Sequence, residues 1–102
     1  MALIVAGLSH HTAPIEVRER VAVAAHETPH VLEELAHATS ASELALLSTC
    51  NRTEVYVVEG EGAAAPGIWA HLSRRLGGDA DAAAYGYVRR DREAAATRSS
   101  SN

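Results

Sequence analysis

The sequence contains no lysine and no phenylalanine, and aromatic residues make up only 4% of it. All nine basic residues are arginines, so lysine Schiff-base chemistry is excluded on this chain. The single cysteine, Cys50, cannot form an internal disulfide, which fits a reducing, cytoplasmic setting. No apolar run approaches the ~20 residues needed to cross a bilayer. The apolar opening stretch lacks the basic region of a signal peptide, so no membrane association is expected. Positive charge is not in excess: the formal net charge is −4, and the field of the whole molecule does not draw in nucleic acid. Any RNA contact has to be local. A chain of 102 residues has room for one core but not for separate cofactor and substrate domains.

What is present reads as an ordinary globular domain, with 47% apolar and 22% charged residues. Leu3 to Leu8 is apolar at nearly every position, as in a buried central strand. Thr12 and Pro14 predict a capped helix start, with Val17 and Val21 on its inner face. Thr28 and Pro29 predict a second helix start, with Glu33 and Glu34 near its positive end and Val31, Leu32 and Leu35 as its stripe. Glu43 to Thr49 reads as a buried strand and Thr53 to Glu59 as a β-branched one. The connector Cys50-Asn51-Arg52 then becomes a hairpin tip carrying the thiol. Gly60 to Ala65 reads as a loop. Pro66 opens a third helix that turns Ile68, Trp69, Leu72 and Leu76 inward and ends at Gly77-Gly78. Ala83 to Arg90 supplies a last strand, and Asp91 can cap a short further helix. The order β-α(α)-β-β-α-β predicts an α+β fold: a ferredoxin-like split βαβ sandwich, an antiparallel sheet with helices on one face.

Two motifs imitate known sites. His26-Glu27-Thr28-Pro29-His30 matches the zinc-protease pattern, but Pro29 forces the helix to start after His26, so the histidines cannot share a helical face. Gly60-x-Gly62-x-x-Ala65 imitates a dinucleotide loop, with Asp79 and Asp81 downstream. Glu59 and Glu61 would face the pyrophosphate, and Pro66 displaces the helix start. His10 and His11 are adjacent in a loop, where neighbouring side chains are expected to diverge. That geometry disfavours a shared metal site, though either can serve as an accessory proton donor or substrate contact. Arg74, Arg75, Arg89, Arg90 and Arg92 can touch phosphate but read better as a solvated face.

The informative stretch is Ser48-Thr49-Cys50-Asn51-Arg52-Thr53-Glu54. A lone cysteine is ordinarily an inert buried residue. Here the thiol ends a strand among polar residues, and a nearby guanidinium raises the ionised fraction of a thiol. Arg52 can supply that charge or clamp a carboxylate through two parallel hydrogen bonds. Thr49 and Asn51 can fix polar groups of a substrate. Residue chemistry alone therefore makes Cys50 a candidate nucleophile.

Gly7-Leu8-Ser9-His10-His11-Thr12-Ala13-Pro14, Val17-Arg18-Glu19-Arg20 and Ser48 to Tyr56 together resemble, in order and spacing, the N-terminal catalytic domain of glutamyl-tRNA reductase. The resemblance implies a domain over residues 1–93, with 94–102 as a polar, disordered tail outside the family pattern. It implies glutamyl-tRNA as substrate, a glutamyl thioester on Cys50, and reduction by NADPH to glutamate-1-semialdehyde in the C5 route to 5-aminolevulinate and tetrapyrroles. Thr49, Asn51 and Arg52 match substrate-binding positions, Arg52 suiting the side-chain carboxylate, and no metal is required. The resemblance further implies glutamate-1-semialdehyde aminotransferase as a partner, and homodimers formed through a separate helical domain. The family's functional histidine, NADPH domain and dimerisation domain have no counterpart in these residues. The sequence therefore reads as a truncated copy or fragment that does not reduce the thioester alone. The rival readings are a small cysteine esterase using His10 or His11, and a non-catalytic ferredoxin-like module or inactive gene fragment.

Overall fold

The computed structural model describes residues 2–59, 64–78 and 80–90. Strand β1 (Ala2–Ser9) leads to helix α1 (Ile15–Val21), a 3-10 turn (Ala25–Glu27) and helix α2 (Thr28–Thr39). The hairpin β2 (Glu43–Ser48) and β3 (Arg52–Glu59) follows, then helix α3 (Ala64–Arg75), a second 3-10 turn (Ala82–Tyr85) and β4 (Tyr87–Arg90). The sheet order is β2-β3-β1-β4, and every neighbouring pair is antiparallel. This is the expected α+β, ferredoxin-like arrangement: each helical connection returns the chain to a strand that is not its sequence neighbour in the sheet.

Alternation along the strands sorts residues to two faces. Ile4, Ala6, Leu8, Val55 and Val57 join Val21, Val31, Leu35, Ile68 and Leu72 in one core, which places the three helices on one face of the sheet. On the opposite face Val5 and Tyr56 form a second cluster with Leu3, Ala45 and Leu47. β1 is central, as its unbroken apolar run implied. β2 is not the buried strand expected: it lies at the sheet edge, and its residues from Leu44 onward are only half-buried. An apolar run alone does not separate a central strand from an edge strand, and only pairing decides which strand is outermost.

Several local expectations are corrected. Thr12 does not cap α1; its hydroxyl accepts the Ser9 N–H at 3.0 Å and closes the turn after β1. Thr28 lies inside α2 and donates to the Ala24 carbonyl, while the Glu27 carboxylate accepts the Ala24 N–H at 3.0 Å. That bond first, and then the nearby Arg75, holds the Glu27 carboxyl below its usual range. Glu34 lies mid-helix, where it meets His30 at 3.6 Å and His71 at 3.8 Å. α3 starts at Ala64, two residues before Pro66. Proline is tolerated there because first-turn N–H groups have no intrahelical partner. Ile68, Leu72 and Leu76 are buried and Trp69 packs partly exposed beside them. Gly77 and Gly78 take φ of 84° and 79°, the left-handed geometry that stops the helix. The expected strand from Ala83 begins only at Tyr87, because the Asp81 carboxylate caps a 3-10 turn by accepting the Ala83 N–H. Its alanines have no β-branching to oppose that turn. Of the expected Gly60–Ala65 loop, Ala64 and Ala65 are helical, while residues 60–63, Asp79, the Asp91 cap and the tail fall outside the described residues.

Arginines tie the layers together. Arg20 donates to the Leu76 carbonyl, and Arg75 to the Ala22 carbonyl at 2.8 Å, joining α1 and its exit to the end of α3. No helix among the described residues is long and apolar enough to cross a membrane.

Candidate functional site

The β2–β3 hairpin ends in a turn built by Thr49. Its Oγ1 accepts the N–H groups of both Asn51 and Arg52 at 3.2 Å, and its own N–H donates to the Arg52 carbonyl. Cys50 is therefore lifted to the apex, where it is exposed. Two other segments hold this apex. The His10 N–H donates to the Asn51 carbonyl at 2.8 Å. Arg18 on α1 donates from Nη1 to the Cys50 carbonyl at 3.0 Å and from Nε to the Ala13 carbonyl. At the base of the hairpin, the Ser48 and Thr53 hydroxyls share a hydrogen bond, and the Val23 N–H donates to Ser48 Oγ. Strand pairing, a side-chain-built turn and a guanidinium clamp thus hold the thiol-bearing tip from three directions.

Beside the tip lies a hollow of about 290 Å³, lined by residues 9–12, Asn51, Arg52, Tyr87 and Arg89. The structure thus brings Asn51, Arg52, His10 and His11 together at one place, with Cys50 at the preceding chain position. The histidines do not diverge as expected: their ring centroids are 3.9 Å apart, since the turn closed by Ser9 and Thr12 folds the loop on itself. Among the described residues, no group of three or more metal-ligating side chains converges. His26 sits in the 3-10 turn and His30 on α2, so the protease-like pattern does not form a site.

Sequence reasoning missed the polar cluster behind Arg52. Glu54 is fully buried, and its Oε1 lies 3.3 Å from Arg52 Nε. The Tyr56 hydroxyl donates to Oε1 at 2.7 Å, and the Tyr87 hydroxyl donates to Oε2. Burial first, and then the Glu54 carboxylate, pushes the Tyr87 hydroxyl well above the ordinary phenol range, so it remains a donor. Arg89 lies over the Tyr87 ring at 4.6 Å. The available signal was a charged residue in a strand at even spacing from Arg52 and Tyr56, which puts all three on one face.

A family model described as Glutamyl-tRNAGlu reductase, N-terminal domain, matches residues 6–98. The chain belongs to this family. Its relatives among the glutamyl-tRNA reductases include that of Frankia alni, 44% identical over 96 residues, a match covering 92% of this chain and 20% of that protein. The Marinobacter nauticus enzyme is 48% identical over 68 residues, covering 67% of this chain and 16% of the relative. The solved structure of glutamyl-tRNA reductase from Methanopyrus kandleri matches with a TM-score of 0.57 and 25% identity, over 90% of this chain and 20% of that one. This glutamyl-tRNA reductase N-terminal domain therefore spans about a fifth of the length of such relatives.

Proposed function

We propose that this domain carries out the thiol chemistry of a glutamyl-tRNA reductase. The Cys50 thiolate attacks the ester carbonyl of glutamyl-tRNA, a carbon–sulfur bond forms, and the ester carbon–oxygen bond breaks. The terminal ribose hydroxyl leaves with a proton, and a glutamyl thioester remains on Cys50. A thioester accepts hydride more readily than an ester, so covalent catalysis divides one difficult reduction into two easier steps. Arg52 is the clamp for the side-chain carboxylate of the glutamyl group, a task its planar fork of donors suits. Asn51 offers amide donors at the hollow, and Thr49 shapes the turn that presents the thiol. His10 and His11, which line the same hollow, are the accessory proton donor or substrate contact in this reading.

In the complete reaction NADPH supplies the hydride that yields glutamate-1-semialdehyde for 5-aminolevulinate and tetrapyrrole synthesis. Among the described residues, α1 and α2 open on Pro14 and Glu27 rather than on a glycine-rich loop. No hydride step is assigned to them. Passing a reactive aldehyde to an aminotransferase partner, and dimerisation through a helical domain, belong to the same reading.

The observation that supports it most is the exposed Cys50 at an apex anchored by Arg18 and His10, next to a hollow holding Arg52. The test is incubation with glutamyl-tRNA carrying labelled glutamate. The wild-type chain should release glutamate through an acid-stable covalent intermediate that Cys50→Ser lacks. Equal slow release by both proteins, with no adduct on Cys50, sinks the proposal. Turnover of small activated esters with indifference to tRNA would favour a cysteine esterase instead.

A further inference from the structure

Glu54 is left unused by the chemistry above, yet it is a carboxylate fully buried in the sheet. A buried carboxylate is destabilising unless it is paired and hydrogen-bonded, and Glu54 is 0% exposed. Its two oxygens receive Tyr56 from the same strand and Tyr87 from β4, across the intervening β1. The residue of β1 between them is Gly7, opposite Glu54 on one side and Tyr87 on the other. A Cβ at Gly7 would lie 2.9 Å from Glu54 Cγ and 2.8 Å from its Cα. The glycine is thus the slot through which the carboxylate reaches β4. The same carboxylate forms an ion pair with Arg52, whose buried Nε lies 3.3 Å from Oε1 without the alignment of a hydrogen bond and whose side chain is only 11% exposed.

We propose that Glu54 is a positioning residue for Arg52: locked over Gly7 by the Tyr56 and Tyr87 hydroxyls, its carboxylate fixes the guanidinium plane so that the outer N–H fork faces the hollow. Two phenolic donors keep the carboxylate in place, and the rigid fork of arginine converts one fixed contact into a fixed orientation. A clamp held this way binds a carboxylate with less ordering of its own side chain at the moment of binding. The inference rests on the reading of Arg52 as the carboxylate clamp, and the two are separable by experiment.

The first measurement is solvent exchange of the Arg52 Nε–H by NMR, its signal identified by its loss in Arg52→Lys. In the wild-type chain this proton should exchange at least about ten-fold more slowly than that of exposed Arg74. Glu54→Gln should abolish most of that difference, and Tyr87→Phe should reduce it. Unchanged protection in these variants overturns the proposal, and Tyr87→Phe alone decides the matter if Glu54→Gln does not fold. The second measurement compares alkylation of Cys50 by anionic iodoacetate and neutral iodoacetamide. Arg52→Ala should lower the iodoacetate-to-iodoacetamide rate ratio. Glu54→Gln should lower it too, even though deleting a negative charge by itself raises that ratio. A raised or unchanged ratio in Glu54→Gln, with Arg52→Ala lowering it, overturns positioning. If Arg52→Ala leaves the ratio untouched, the clamp reading is what fails, and the exchange measurement alone decides whether Glu54 holds Arg52.

Discussion

Gly7 shows how much one missing side chain can arrange. It lies between β3 and β4 in the sheet, and the absence of a Cβ opens the lane that Glu54 occupies. Gly7→Ala would press against Glu54 and the β3 backbone, and overpacking at such a site costs about 1–3 kcal/mol. Equilibrium urea unfolding should show this as a lower midpoint with an unchanged slope. A midpoint equal to wild type would mean that the strands separate without strain at this position. The hairpin apex depends in the same way on Thr49, whose single oxygen accepts two backbone donors. The candidate site is therefore shaped in part by backbone packing at Gly7 and by the turn bonds of Thr49.

At the scale of elements, the contact of α2 with α3 carries a pH response. His71 of α3 is 4% exposed, and among the described residues neither ring nitrogen has a hydrogen-bond partner. Burial lowers its pKa below the ordinary 6.5, against the opposing pull of Glu34 on α2 and with smaller pushes from Arg74, Arg75 and His30. The folded state thus resists a proton that the unfolded chain accepts. Above 6.5 both states leave the ring neutral and nothing is lost. As pH falls through 6.5 toward the depressed folded value, the unfolded state binds more protons and stability declines. Urea midpoints measured from pH 7.5 downward should fall along this window, and His71→Gln should flatten that slope. Equal slopes in the two proteins would place the pH response elsewhere.

For the whole molecule, one core joins the three helices to the inner face of the sheet, with Ile68 fully buried at the junction. Ile68→Ala removes apolar contacts to a cavity and should cost about 2–5 kcal/mol, a large part of the about 5–15 kcal/mol available to a domain. Thermal unfolding followed by far-UV circular dichroism should show a markedly lower midpoint. A shift within a degree or two would mean that the core collapses around the gap. The opposite face of the sheet holds the polar cluster of Arg52, Glu54 and Tyr87. The sheet thereby separates the face packed under the helices from a face that carries both a smaller apolar cluster and the polar residues beside the candidate site.

Much of this architecture was legible locally. The apolar run of β1, the β-branched run of β3 and the three-residue connector between β2 and β3 are each contained within a few neighbouring residues, so periodicity and turn chemistry reveal them. Cys50, Asn51 and Arg52 were legible as a candidate site for the same reason, being contiguous. Whether β2 is central or at the edge was not legible, because strand order is set by pairing between distant segments. The close approach of the His10 and His11 rings came from hydrogen bonds of Ser9 and Thr12 that no pattern announces. The Glu54–Tyr87 contact joins residues 33 positions apart. It exists only because β1 lies between their strands and offers a glycine there. Composition and periodicity determined most of the segments that become strands and helices, since those depend on neighbours along the chain. The partners of a buried charge were decided in three dimensions, because a carboxylate removed from water has to be satisfied by whatever donors the fold brings to it.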